Sequence, residues 1–141
     1  MTVYVLDASA LIRYLDKEAG WDRVKVVLKE CVGGHAGLQI SAVQWGEVAG
    51  NLRKRFGDSE PARMRQARIL SGLLPSEALV VPVNAERAVH AAVLKADCQI
   101  AYAGAFAVDL AMSSPDHVLV TADDGLKAVA DMVRIEFLSA K

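Results

Sequence analysis

The sequence predicts an α/β fold, a three-layer α/β/α sandwich built on a mostly parallel five-stranded sheet. Three observations lead there. Short continuous apolar runs alternate with segments of helical periodicity, and these runs lack the in-and-out alternation of a sheet with one wet face. The turns between them are only a few polar residues long. Finally, a chain of 141 residues with 53% hydrophobic residues can bury one sizeable core. No repeat, low-complexity tract or long linker divides it, so residues 1–141 are expected to form a single domain.

The elements follow in order. Thr2 to Leu6 is short, apolar and rich in β-branched and aromatic residues, which makes it a strand. Asp7 and Ser9 then offer a helix start before Leu11, Ile12 and Leu15. From Trp21 to Val32, Val24, Val27, Leu28 and Cys31 recur at spacings of three and four, and Gly33-Gly34 ends that helix. Gly37 to Ile40 is the second strand.

Ser41 with Gln44 three places later is a capping-box signature for a helix whose apolar side carries Trp45, Val48, Leu52 and Phe56. Glu47 lies toward the edge of that stripe. Gly57-Asp58-Ser59-Glu60-Pro61 breaks the helix and starts another, expected to run to about Leu74. Leu79 to Val83 is the third strand candidate, followed by Asn84 as a cap and by Ala88, Val89, Ala92 and Val93 on one helix face. A small-residue helix is expected from about Ala101 to Met112, closed by Ser113-Ser114-Pro115-Asp116. His117 to Thr121 is a strand, Asp123-Asp124-Gly125 opens a short helical segment, and Met132 to Leu138 is a last apolar run. Glu136 suits that run to a sheet edge.

Charge and motifs exclude several functions. The formal net charge of −1 rules out a globally basic nucleic-acid coat. Cys31 and Cys98 stand too far apart for a CxxC redox site or a Cys-rich zinc site. There is no GxxxxGK[ST], GxGxxG or GxSxG, so ATPase, dehydrogenase and α/β-hydrolase readings lack their sites. His35, His90 and His117 form no motif, and the latter two are expected to be structural or merely exposed. With no basic leader before an apolar tract and no apolar run near the length of a spanning helix, the expected location is the cytoplasm, without membrane association.

What remains is a set of acids placed after strands. Asp7 follows the first strand directly, and Asp123 lies two residues beyond the strand that ends at Thr121. In a parallel α/β sheet such strand ends share one rim. Glu47, early in the helix that leaves the second strand, could reach the same rim. Converging carboxylates repel unless a cation neutralises them, and an oxygen-only donor set favours Mg²⁺ or Mn²⁺ over zinc. Such an ion suits phosphodiester hydrolysis. Ser9 and Thr121 are small hydroxyl residues beside two of these acids, suited either to orienting a carboxylate or to capping a helix and finishing a strand. Asp123 is assigned to the metal side and Asp124 to the helix start.

The chain resembles the PIN domain family, specifically the small VapC-like ribonuclease toxins of toxin-antitoxin pairs. The resemblance rests on Val5-Leu6-Asp7-Ala8-Ser9-Ala10-Leu11, on Ser41-Ala42-Val43 with Glu47, on Tyr102-Ala103-Gly104-Ala105-Phe106-Ala107 and on Leu119-Val120-Thr121-Ala122-Asp123. It implies the strand order 3-2-1-4-5, an acidic cleft binding Mg²⁺ or Mn²⁺, and endonucleolytic cleavage of RNA. Asp7, Glu47 and Asp123 match three of the family's acids. Gly104 stands where the family places another acid, so the site is expected to lack one carboxylate. Asp109, five residues further along the helix, is turned about 140° away, and Asp97 lies before a break. Two functions follow: an active metal-dependent endoribonuclease toxin with a depleted site, or a catalytically impaired relative that keeps RNA or antitoxin binding.

Partners are expected from charge and from the resemblance. Arg53, Lys54, Arg55, Arg63, Arg65 and Arg68, opposed locally only by Asp58 and Glu60, give residues 53 to 68 a net +4, which can draw an RNA backbone toward an acidic cleft. A plain solvated helix face is the competing reading. A cognate antitoxin and a homodimer are what the resemblance implies.

Overall fold

In the computed structural model, which describes residues 1–64 and 79–140, five strands lie parallel in the order β3-β2-β1-β4-β5. They are β1 (Val3–Leu6), β2 (Gly37–Ser41), β3 (Val80–Val81), β4 (His117–Thr121) and β5 (Ile135–Phe137). The helices are α1 (Ala8–Asp16), α2 (Trp21–Val32), α3 (Ala42–Phe56), α4 (Ala85–Cys98) and α5 (Tyr102–Ala111). Residues 57–59 and 124–129 form 3-10 turns, and residues 60–64 are helical. The rest of the expected helix to Leu74, with Arg65 and Arg68, lies outside the described residues.

The central strand explains the layers. Along β1 and β4 alternate residues leave opposite faces, as a pleated strand requires. Val5 and Leu119 enter a core shared with α4 and α5, through Ala91, Leu94, Phe106, Val108 and Leu110. Tyr4, Leu6 and Val120 enter a second core with Val24, Val27 and Leu28 of α2. A third cluster packs Leu11 of α1 on Ile40 and on Val48 and Leu52 of α3. Burying one such aliphatic side chain contributes about 1.5–3 kcal/mol, so coverage of both faces holds the sandwich together.

Local signals set the element ends. Asp7 caps α1 by accepting from Ala10 N–H, and Asn84 caps α4 by accepting from Arg87 N–H at 2.9 Å. Gly20 opens α2 at φ +89°, a region that favours glycine, and a Cβ there would stand 2.8 Å from the Leu138 Cβ. That close approach lets the chain after β5 pack against the start of α2. Arg23 of α2 adds a two-bond ion pair to Glu136 of β5, at 2.6 and 2.9 Å, which blunts the sheet edge that Glu136 marks.

Three expectations need correction. The third strand is two residues long rather than Leu79 to Val83, because Pro82 has no N–H to continue a ladder. On α4 the packed face carries Ala91 and Leu94, while Val89 and Val93 are 64% and 48% exposed. Two apolar stripes run along this helix, and close contact with α5 selects the one with Ala91. The final strand is confined to Ile135–Phe137, with Met132 and Val133 before it. Among the described residues, no single helix is long and apolar enough to cross a membrane.

Candidate active site

Pairing of β1 with β4 sets Leu6 beside Val120, so Asp7 emerges alongside Thr121 at the end where both strands finish. Asp7 is 4% exposed, and its carboxylate is held from three directions. Oδ1 accepts from Ala10 N–H at 2.9 Å and from the Ser9 hydroxyl at 2.7 Å, and Oδ2 accepts from the Thr121 hydroxyl. Each hydroxyl is itself fixed by a backbone donor: Ala122 N–H reaches Ser9 Oγ and Asp123 N–H reaches Thr121 Oγ1, both at 2.9 Å. Ser9 and Thr121 thus orient Asp7. Ser9 does not cap α1, because Asp7 already does.

Burial pushes the Asp7 carboxyl pKa up, the three hydrogen bonds pull it back, and the charge of Asp123 pushes it further up; the net direction is upward. Asp123 is exposed and caps the 3-10 turn, with Oδ1 accepting from Gly125 N–H at 2.9 Å. Asp124 is the first residue of that turn, as expected, and faces Lys127 at 3.6 Å. The N-cap itself is Asp123, whose backbone is extended (ψ 104°) as an N-cap requires.

Gln44 is the residue whose role sequence reasoning missed. Ser41 caps α3 through Val43 N–H as expected, but Gln44 does not return to complete a capping box. It is 4% exposed, accepts from Ala8 N–H at 2.7 Å through Oε1 and donates through Nε2 to the Ala103 carbonyl. One amide therefore ties the first turns of α1, α3 and α5 together behind the rim. The available signal was its phase: Gln44, Val48 and Leu52 are spaced by four, placing a polar group in the buried stripe. Gln44→Ala should leave the buried Ala8 N–H without its partner and lower stability by about 1–3 kcal/mol in urea denaturation.

Glu47 is exposed, one turn beyond Gln44 and about 60° around α3 from it. Among the described residues, no three His, Cys, Asp or Glu side chains gather closely enough to hold one ion. The charge of Asp123 acts on Asp7, and Glu47 stands exposed on α3. Gly104 is the third residue of α5, next to the carbonyl that Gln44 holds. A Cβ on it would meet only Leu126 Cδ2, at 3.4 Å, and Leu126 N–H bonds the Asp123 carbonyl. Position 104 therefore faces the turn that carries Asp123. Asp109 is turned away from it, bonded to Arg87 and His90, and Asp97 is exposed near the end of α4.

Arg53, Lys54 and Arg55 are all exposed in the last turn of α3. Arg55 grips Asp16 with two bonds of 2.8 and 3.1 Å, and Arg53 pairs with Asp58 at 3.2 Å. Lys54 has no ion-pair partner among the described residues. Arg63 stacks over the Phe56 ring at 4.2 Å.

A PIN domain family model matches residues 4–132. Among solved structures, a chain of VapBC2 from Rickettsia felis, bound to a DNA fragment from their promoter, is similar with a TM-score of 0.66 at 11% identity, over 98% of this chain and 100% of that one. A chain of VapBC-1 from nontypeable Haemophilus influenzae gives 0.64 at 18% identity, over 96% and 98%. Likeness at these identities is likeness of fold. No curated protein matches the chain by sequence.

Proposed function

Because the chain belongs to the PIN domain family, we propose that it is a metal-dependent endoribonuclease of the VapC toxin type, acting at the rim where Asp7 and Asp123 meet with one carboxylate fewer than its relatives. The observation that carries this reading is the buried Asp7 carboxylate, held rigidly by Ser9, Ala10 and Thr121 with a second acid beside it. A buried anion next to a like charge is costly unless a cation joins it. The donors here are carboxylate and hydroxyl oxygens, which suits Mg²⁺ or Mn²⁺, and Mg²⁺ is commonly held by only one or two carboxylates. Asp7 and Asp123 would hold the ion, and Glu47 is the further acid of the set.

Such an ion, when bound, supplies Lewis acidity for the phosphate and a water of lowered pKa. The chain supplies the rest. Ser9 and Thr121 keep both Asp7 oxygens oriented, which limits the reorganisation needed when charge develops. Lys54, with Arg53 and Arg55 once released from their acidic partners, draws an RNA backbone without specifying its bases. RNA cleavage in Mg²⁺ or Mn²⁺ that is absent in EDTA and in Asp7→Asn supports the reading; cleavage equal in parent and variant overturns it.

Gly104 favours a second reading, in which the chain binds RNA or an antitoxin but hydrolyses slowly or not at all. An antitoxin partner is proposed because the similar solved structures are VapBC complexes, and a homodimer is proposed on the family resemblance. The basic turn is testable under either reading. Arg53→Ala combined with Arg55→Ala should weaken RNA binding at low salt and reduce the slope of log K against log salt by about 2, one for each phosphate that is no longer neutralised. An unchanged slope in filter binding would place the RNA elsewhere.

A further inference from the structure

Away from the acidic rim, α4 and α5 enclose a cavity of about 330 Å³ lined by Glu86, Arg87, His90, Asp109 and Ser113, among others. Asp109 is 7% exposed, and both of its oxygens are engaged at 2.7 Å, Oδ2 by Arg87 Nη1 and Oδ1 by His90 Nδ1. None of these groups takes part in the function proposed above. We propose that this cavity is a cation site for a divalent transition metal of the zinc class, with His90 Nε2 and the Glu86 carboxylate as its protein ligands.

The argument starts from Asp109. A buried carboxylate that accepts from Arg87 calls for a donor on its other side, so Nδ1 is the His90 nitrogen committed to Asp109, and Nε2 is the nitrogen left for an ion, which would displace any proton on it. A carboxylate behind an imidazole is the arrangement that fixes ring orientation and raises basicity in metal-binding histidines. The His90 side chain is 40% exposed, which leaves the ring open to an ion arriving from the cavity. Glu86 lies four residues earlier on α4, hence on the same helix face, and is exposed.

Charge decides the sign of the ligand. Glu86 and Asp109 carry two negative charges against one positive charge on Arg87, so the fixed charges of the cavity favour a cation over an anion. The donor types decide the metal. Imidazole with carboxylate suits Zn²⁺, Co²⁺ or Ni²⁺, whereas Mg²⁺ prefers oxygen alone. Asp109 is too fully bonded to serve as a ligand, and the cavity has room for waters to complete the coordination. The two sites of the chain are therefore expected to differ in metal class: hard ions at Asp7, borderline ions at His90.

The test is titration of the full chain with Zn²⁺, followed through the imidazole nitrogen resonances of His90, with Co²⁺ absorption as a second readout. One equivalent should shift Nε2 while Nδ1 stays protonated, and Mg²⁺ should leave both unchanged. Affinity should fall at least about 10-fold in Glu86→Gln and in Asp109→Asn. It should disappear in His90→Ala and persist in Asp7→Asn. Should Asp109→Asn fail to fold, the surface change Glu86→Gln still decides. Zn²⁺ binding that survives His90→Ala, that is lost in Asp7→Asn, or that is replaced by a response of His90 to inorganic phosphate overturns the proposal.

Discussion

Asp7→Asn is expected to raise the melting temperature of the cation-free protein at neutral pH while removing its metal-dependent RNA cleavage. The stability part follows from the raised pKa of the Asp7 carboxyl, caused first by burial. The folded chain holds that proton more tightly than the unfolded chain. Its contribution to stability is therefore intact below the unfolded carboxylate pKa and is lost as pH climbs through the folded one. At neutral pH the parent carries the penalty of a buried anion and the Asn variant does not. Asn can still accept from Ala10 N–H as an N-cap, and the Thr121 hydroxyl can rotate to accept from the new amide.

Relief of about 1–2 kcal/mol would raise the melting temperature by about 3–6 °C. The gain should vanish in melts at acid pH and shrink when Mg²⁺ stabilises the parent. Cleavage should drop at least about 100-fold, beyond the 10- to 100-fold typical of losing a group that only orients a ligand. A stabilised variant that still cleaves RNA would preserve the burial argument and overturn the proposed chemistry.

This opposition between stability and activity is legible in the sequence only in part, and the division has a physical basis. Asp7, Ser41 and Asn84 are readable as caps because a cap satisfies amides two or three residues away. The α2 helix and the His117–Thr121 strand follow their local periodicity to the residue. The strand order 3-2-1-4-5 is implied by family resemblance, and the sheet adopts it. By contrast, Gln44 bonds residues 36 and 59 positions away, and no local pattern names those partners.

The same holds for the face that α4 buries. Ala91 and Leu94 compete with Val89 and Val93, and only the small residues of α5 across the contact settle which stripe packs. Asp7 and Asp123 are readable as neighbours because the ends of parallel strands share one rim, whereas the reach of Glu47 is not. Pairing of β1 with β4 brings Asp7 to Thr121 and so to Asp123, but Glu47 rides on α3, whose rotation is set by Gln44, Val48 and Leu52.

Gly104→Asp should reverse the balance struck at position 104. The third position of α5 lies in its first turn, where a negative side chain is favoured by about 0.3–1 kcal/mol. The backbone there is helical, and Leu126 leaves room for a Cβ at 3.4 Å. Against these gains stands repulsion: a third carboxylate would join Asp7 and Asp123 at the rim, which disfavours the cation-free state. In EDTA the variant should therefore melt no higher than Gly104→Asn, which has the same shape without the charge. In Mn²⁺ or Mg²⁺ the order should invert, because each added carboxylate strengthens a hard-cation site. We expect at least about 10-fold tighter Mn²⁺ binding, equivalent to about 1.4 kcal/mol of extra cation-dependent stability, and faster RNA cleavage. If the Asp variant shows neither a larger cation-induced shift in melting temperature nor faster cleavage than the Asn variant, position 104 does not complete the site.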